Sequence, residues 1–330
     1  MKPAHCLIVL LAVFSASCAP TVMPPGPVVR AAVLTADALI TADGATLPVR
    51  SWQPKGSPKA ILIGLHGFND YSNAFAAPAK FWAGRGITTY AFDQRGFGAA
   101  PHVGRWAGSA AMIDDALEMA RQARRRHPGV PLYFVGVSMG GAVAMLAMTR
   151  DGTGGNIVDG AVLVAPAVWG RRHMNVFQRS ALWFFSHTVP WFPLTGQGLK
   201  IKPSDNIAML RALGRDPLVL KQSRVDAVHG LVELMDQAFA AAPKVDAPTL
   251  VLYGGKDEIV PSGPSLEALQ AMARRKTARI AVYGGGYHML LRGLKADKVL
   301  GDIAAWINDP AAPLPSHADK NWDQTSAHKR

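Results

Sequence analysis

Gly136, Val137, Ser138, Met139 and Gly140 close the apolar run LYFVGV (132–137), with a glycine two residues to either side of the serine. A serine hydroxyl becomes a useful nucleophile only beside a base that takes its proton and a carboxylate that holds the base. The run before Ser138 reads as a strand, and GAVAMLAM (141–148) after it reads as a helix. Ser138 then sits on a strand–turn–helix corner. The backbone is strained there, side chains two residues away would clash, and the helix N-terminus points at charge developing beside the hydroxyl.

Partners of the right type follow in chain order. Asp257 lies in VLYGGKDEIVP (251–261) and His288 in IAVYGGGYHML (280–290), each just past an apolar run that reads as a strand. Both therefore fall at carboxyl ends of strands, where open α/β sheets gather their sites. Glu258 is a neighbouring rival for the acid, since an Asp in such a turn is often only a turn former. His317 and His328 lie in a C-terminal tail, and His187 and His229 in an insertion. Together Ser138, Asp257 and His288 spell acyl transfer through a covalent intermediate. That chemistry also needs two backbone N–H donors aimed at the oxyanion. Met139 supplies one, and Phe68 in GLHGFND (64–70) the second, with His66 bracing that loop. Asp93 and Arg95 in DQRGFG (93–98) are read as scaffold.

The elements that must position these residues alternate. Runs at 60–65, 88–92, 132–137, 161–165, 249–253 and 279–283 read as buried strands, and stretches near 74–84, 111–126, 140–149, 264–275 and 296–307 as helices. Continuous apolar strands alternating with helices predict an α/β fold, a mostly parallel sheet with helices on both faces. The core of this fold is expected over 34–166 and 244–309. Residues 167–243 hold no good strand and read as a helical cap over the site. Within the cap, SALWFFSHTVPWFPL (180–194) is dense in aromatics. Trp183 and Phe184 either line an acyl pocket or pack the cap on the sheet.

The loop at His66-Gly67, the segment at 93–98, the serine corner, the segment from Gly254 to Pro261 and the late His288 resemble the α/β-hydrolase superfamily. The nearest branch is the bacterial monoacylglycerol lipase/lysophospholipase-like group, also labelled serine-aminopeptidase-like. The resemblance covers roughly 40–308. It implies Ser138, Asp257 and His288 as triad, Phe68 and Met139 as oxyanion donors, and a helical cap over an acyl pocket. Val137, Phe97 and Tyr71 depart from that group's usual residues and bear on which substrate fits. The expected function is a serine hydrolase cleaving carboxylic esters of single-chain lipids, monoacylglycerol or lysophospholipid, without cofactor or metal. Carboxylesterase, thioesterase, amidase or peptidase chemistry uses the same scaffold, and a non-catalytic envelope lipoprotein is the alternative of another class.

Composition narrows the partners. The 330 residues are 49% hydrophobic and 18% charged, with a formal net charge of +12. Arg124, Arg125 and Arg126, then Arg274, Arg275 and Lys276, close helices, where cations complement the dipole. No basic stripe interleaved with aromatics is present, so no nucleic-acid partner is expected. Lys2, the run LIVLLAVF (7–14) and SASCAP (15–20) read as a signal peptide over 1–17, followed by a lipid-attachment cysteine at Cys18. Residues 18–33 read as a Pro-rich tether and 310–330 as a loose tail. The expected location is the bacterial cell envelope, with the chain anchored to a membrane surface, or periplasmic or secreted if Cys18 is not acylated.

Overall fold

Nine strands hydrogen-bond into one sheet: β1 (Val33–Leu34), β2 (Ala38–Ile40), β3 (Thr46–Trp52), β4 (Ala60–Leu65), β5 (Ile87–Phe92), β6 (Leu132–Val137), β7 (Gly160–Val164), β10 (Thr249–Gly254) and β11 (Ala278–Tyr283). The computed structural model describes residues 19–150, 157–196, 198, 200–260, 262–274, 277–320 and 322. The strand order is β1-β2-β3-β5-β4-β6-β7-β10-β11. From β5 to β11 every neighbouring pair is parallel, whereas β1, β2, β3 and the β3–β5 pair run antiparallel. The parallel strands β4, β5, β7 and β10 are buried along their whole length, which is why they are largely apolar, with only the buried Thr88, Thr89 and Thr249 interrupting.

The three antiparallel strands are an addition to the sequence expectation. Their signal is weak because β3, TLPVRSW, alternates buried and solvent-facing residues and carries Pro48 and Arg50.

Helices cover both faces. On one lie α1 (Ala76–Ala83) and α8 (Ala296–Asn308), whose Trp82, Ile303 and Trp306 pack with Phe75 and the alternate side chains of the strands. Trp82 Nε1 donates to Leu300 O at 3.1 Å, tying these helices together. On the other lie α2 (Ser109–Arg126), α3 (Met139–Thr149) and α7 (Ser262–Ala273), packing through Met112, Met119, Val143, Leu269 and Met272. Arg124 and Arg126 do more than sit in solvent at a helix end. They donate to the carbonyls of Val130, Ile157 and Leu34.

Between β7 and β10 the chain forms α4 (Val176–Thr188), β8 (Pro193–Thr195), α5 (Ile207–Arg215), β9 (Gln222–Arg224) and α6 (Val225–Ala241). Asn175 starts α4 with a reciprocal cap: its side chain accepts from Gln178 N at 2.9 Å, and its own N–H reaches Gln178 Oε1 at 3.0 Å. Asn206 caps α5 by accepting from Met209 N at 3.1 Å. β8 and β9 pair antiparallel, a ribbon absent from the sequence reading.

Two further expectations are corrected. The stretch expected to be a free tether lies on the domain: Met23 N donates to Trp106 O at 2.8 Å and Gly26 N to Asp43 Oδ2 at 3.1 Å. The expected loose tail packs beside the edge strand β11. Leu314 and Ala318 are buried, Val282 N donates to Ala318 O at 2.9 Å, and Ser316 N donates to Asp302 Oδ1 at 2.9 Å. An edge strand left bare would be a template for pairing, and this segment covers it. The expected signal peptide and Cys18 lie outside the described residues, as do Arg275 and Lys276. Among the described residues no helix is long and apolar enough to cross a membrane.

Candidate active site

Strand β6 ends at Val137 and α3 begins at Met139, leaving Ser138 alone between them at φ 52°, ψ −115°. That left-handed conformation is costly for a residue with a side chain and persists only when its surroundings hold it. Here Ser138 N donates to Val164 O at 2.9 Å. Ser138 O accepts from Gly141 N at 2.9 Å and from Ala167 N at 3.0 Å. The flanking glycines are sterically required. A Cβ on Gly140 would lie 2.0 Å from Leu65 O, and one on Gly136 would lie 2.4 Å from Gly140 O.

The loops after β10 and β11 cross at close range. A Cβ on Gly254 would meet Tyr287 O at 2.5 Å, and Lys256 N donates to Gly286 O at 2.8 Å. This crossing sets Asp257 against His288, with Oδ2 2.8 Å from Nδ1. The Asp257 side chain is fully buried, and its Oδ1 accepts from Ile259 N at 2.8 Å and Val260 N at 3.0 Å. A carboxylate held by two amides is acceptor-only toward His288, so Nδ1 carries the proton and Nε2 keeps its lone pair. The rival acid faces elsewhere: Glu258 Oε2 accepts from Lys202 N at 2.7 Å.

The loop after β4 closes the site. Gly67 sits against the corner, a Cβ there falling 3.5 Å from Ser138 Cβ. Phe68 lies in the wall of the same cavity as Ser138 and His288. Met139, at the first helical position, has an N–H without an acceptor inside the helix. His66 is fully buried and holds this loop in shape. Its Nε2 accepts from Gln94 N at 3.0 Å, which leaves Nδ1–H to donate to Gly67 O at 2.9 Å. Burial holds its pKa below the ordinary histidine value, in keeping with a neutral brace. Asp93 accepts from Ser72 N and Ala99 N, and Arg95 forms ion pairs with Asp43 and Asp115, so both residues serve the scaffold. Among the described residues no three His, Cys, Asp or Glu side chains are grouped to hold a metal ion.

The cavity between core and cap measures about 380 Å³. Its walls are mostly apolar: Trp169 and Met174 before α4, then Val228, Leu231, Val232 and Met235 from α6, and Ile259 and Val260 beside Asp257. The charged groups in the wall are Asp70 and Arg292, which pair with each other, while Asp70 Oδ1 accepts from Tyr71 N at 2.9 Å.

Residues 56–294 match the family model described as "Serine aminopeptidase, S33". The chain belongs to this family. It is 27% identical over 285 residues to the monoglyceride lipase of Homo sapiens, covering 83% of this chain and 90% of that protein. To the monoacylglycerol lipase of Mycolicibacterium smegmatis it is 26% identical over 279 residues, covering 78% and 90%. Among solved structures, a soluble variant of monoglyceride lipase from Saccharomyces cerevisiae, in complex with a substrate analog, superposes with a TM-score of 0.69. Its sequence identity is 18%, over 86% of this chain and 98% of that one. The monoacylglycerol lipase of Paleococcus ferrophilus gives 0.64 at 21% identity, over 79% and 98%. These likenesses establish the α/β-hydrolase fold.

In this serine aminopeptidase-family chain the aromatics singled out from sequence are not in the cavity wall. Trp183 and Phe184 are 61% and 53% exposed on α4, and Trp183 stacks on His187 at 4.7 Å. The cavity side of the cap comes instead from α6. Val228, Leu231, Val232 and Met235 recur at helical spacing, a stripe present in AVHGLVELM (227–235) that the aromatic run outshone. Asp70 and Arg292 were also missed, because 222 residues separate them in the chain.

Proposed function

We propose that this protein is a serine esterase that hydrolyses monoacylglycerols. The observation that carries the reading is an apolar cavity holding Ser138 and His288 at one wall, with His288 fixed by buried Asp257 and a neutral Asp–Arg pair close by. Ser138 Oγ attacks the ester carbonyl while His288 Nε2 takes its proton. The N–H groups of Met139 and Phe68 hold the oxyanion. The tetrahedral intermediate collapses as His288 returns that proton to the departing alcohol. Water, activated by His288, then attacks the acyl–Ser138 ester and releases the fatty acid.

The Asp70–Arg292 pair favours glycerol as the alcohol. A guanidinium donates and a carboxylate accepts, so together they suit hydroxyl groups, which do both. A phosphate headgroup would find no surplus positive charge in this neutral pair, which argues against lysophospholipid. An aminopeptidase site needs a carboxylate free to bind the substrate ammonium, and Asp70 is already engaged by Arg292. The names of the relatives point the same way. The envelope location read from the leader and Cys18 belongs to this proposal as well.

The test is a comparison of esters. Lengthening acetyl to octanoyl buries six more methylenes, worth up to roughly 5 kcal/mol before ordering reduces it, so kcat/KM rises with chain length and then levels. At fixed acyl chain, a 1-monoacylglycerol is turned over about 10-fold faster in kcat/KM than the methyl ester, the worth of one to two net hydrogen bonds. The double variant Asp70→Asn/Arg292→Met removes that preference and changes methyl-ester hydrolysis only a few-fold. Acetyl esters as best substrates, or an unchanged glycerol preference in the double variant, would contradict the assignment.

A further inference from the structure

The cap touches the loops beneath it at a recurring place. Lys202 N donates to Glu258 Oε2 at 2.7 Å, Met289 N to Pro203 O at 3.0 Å, and Leu220 N to Asn69 O at 3.0 Å. Glu258 follows Asp257, Met289 follows His288, and Asn69 follows Phe68. Each contact falls one residue past a group that the proposed reaction uses.

The contact at Asn69 bears most on the chemistry. Asp70 N donates to Gly67 O at 3.2 Å, closing a turn with Phe68 and Asn69 at its central positions. Asn69 has φ 65°, the left-handed value that a type II turn demands at its second central position. A residue with a side chain holds that value at a cost, and asparagine is among those that tolerate it best. Relaxing to an ordinary φ would rotate the peptide between Phe68 and Asn69 and shift the Phe68 backbone with it. What holds Asn69 therefore holds the second oxyanion donor.

The hold comes from the cap. Asn69 Nδ2 donates to Ser223 Oγ, on β9, at 2.7 Å. Among the described residues Asn69 Oδ1 is buried without a partner, so the bond to Ser223 is what fixes this amide. Two residues further, the buried Tyr71 donates its OH to Asp216 Oδ2 at 2.7 Å. Burial and then the bond to Asp216 push the Tyr71 phenol up to about 12, so it stays protonated as the donor. On the core side the loop rests on His66, which donates to Gly67 O. The core fixes the start of the loop and the cap fixes its far end.

We infer that Asn69 is a positioning residue for the oxyanion hole, held in its left-handed turn by Ser223 of the cap, with Tyr71 and Asp216 as a second tie. The inference rests on the esterase reading above. It adds that the cap, besides walling the cavity, shapes the groups that stabilise the oxyanion. Asn69, Tyr71, Asp216 and Ser223 all lie outside the cavity wall, so changes there read the hold and not substrate packing.

The experiment uses the full chain and p-nitrophenyl butyrate, a short ester that asks little of the acyl cavity. Parent, Ser223→Ala, Ser223→Thr, Tyr71→Phe and the double variant Ser223→Ala/Tyr71→Phe are compared. Removing an oxyanion donor altogether costs on the order of 10²–10³ in kcat, and a displaced donor costs less. The expected result is kcat lowered about 10-fold in Ser223→Ala and further in the double variant, with KM within about twofold. Ser223→Thr keeps the hydroxyl and restores kcat. A trifluoromethyl ketone, whose carbonyl is attacked by Ser138 Oγ and becomes an oxyanion as the proton passes to His288 Nε2, should weaken by the same factor as kcat/KM. A long-chain alcohol, which fills the cavity without forming an oxyanion, should keep its affinity.

An active parent matched by every variant overturns the inference. So does a loss carried by KM, or an equal loss of ketone and alcohol affinity, either of which would make Ser223 part of the cavity packing. A shifted pH–rate profile also overturns it, since neither Asn69 nor Ser223 titrates and the effect would then lie on His288. A parent inactive on every ester overturns the esterase reading, and the inference with it.

Discussion

Ser138→Ala abolishes ester hydrolysis, lowering kcat on the order of 10⁶-fold, while the protein keeps its melting temperature. The loss is large because attack, oxyanion formation and acyl transfer all pass through the one hydroxyl. The fold survives because Ala keeps the Cβ, and the backbone hydrogen bonds to Val164, Gly141 and Ala167 hold φ at 52° whichever side chain is present. Steady-state hydrolysis of a p-nitrophenyl ester and a thermal melt on the same sample check both halves. Residual activity above about 1% of wild type in a well-folded variant would place the nucleophile elsewhere.

Asp257→Asn lowers kcat on the order of 10⁴-fold, whereas Glu258→Gln changes it less than about threefold. The geometry dictates which way the new amide faces. Oδ1 accepts from Ile259 N and Val260 N, so the amide oxygen stays there and the NH₂ takes the place of Oδ2, against His288 Nδ1. Nδ1 must then accept, the ring proton moves to Nε2, and His288 can no longer receive the serine proton. Glu258 makes its contact to Lys202 N at an exposed position and leaves His288 untouched. Kinetics of the two variants on one ester check the pair, and reversed effects would assign the acid to Glu258.

Most of what positions the site was legible in the residues. Strands β4, β6, β7 and β10 are buried on both faces, an environment that selects a near-continuous apolar run. The corner at Ser138 was legible because a strained turn with backbone packed on both sides excludes every side chain at 136 and 140. Asp257 and His288 were legible from their places just past strands. The antiparallel strands escaped because half of β3 faces solvent, where composition is free to vary. The packing of residues 310–320 escaped because Leu314 and Ala318 are two apolar residues in a polar, Pro-rich stretch, too sparse to show a period. The cavity wall escaped for a different reason. An apolar side chain is equally at home against substrate, core or lipid, so the run around Trp183 carried no mark of which it faces, and the α6 stripe looked like ordinary packing.

The central claim is that Ser138 is the acylated residue of a monoacylglycerol esterase, and active-site labelling with peptide mapping tests it most directly. A fluorophosphonate added to wild-type protein should place a single adduct on the peptide carrying Ser138, and a long-chain monoacylglycerol should slow that labelling in proportion to its occupancy of the cavity. An adduct on any other residue, or labelling indifferent to saturating monoacylglycerol, would contradict the account.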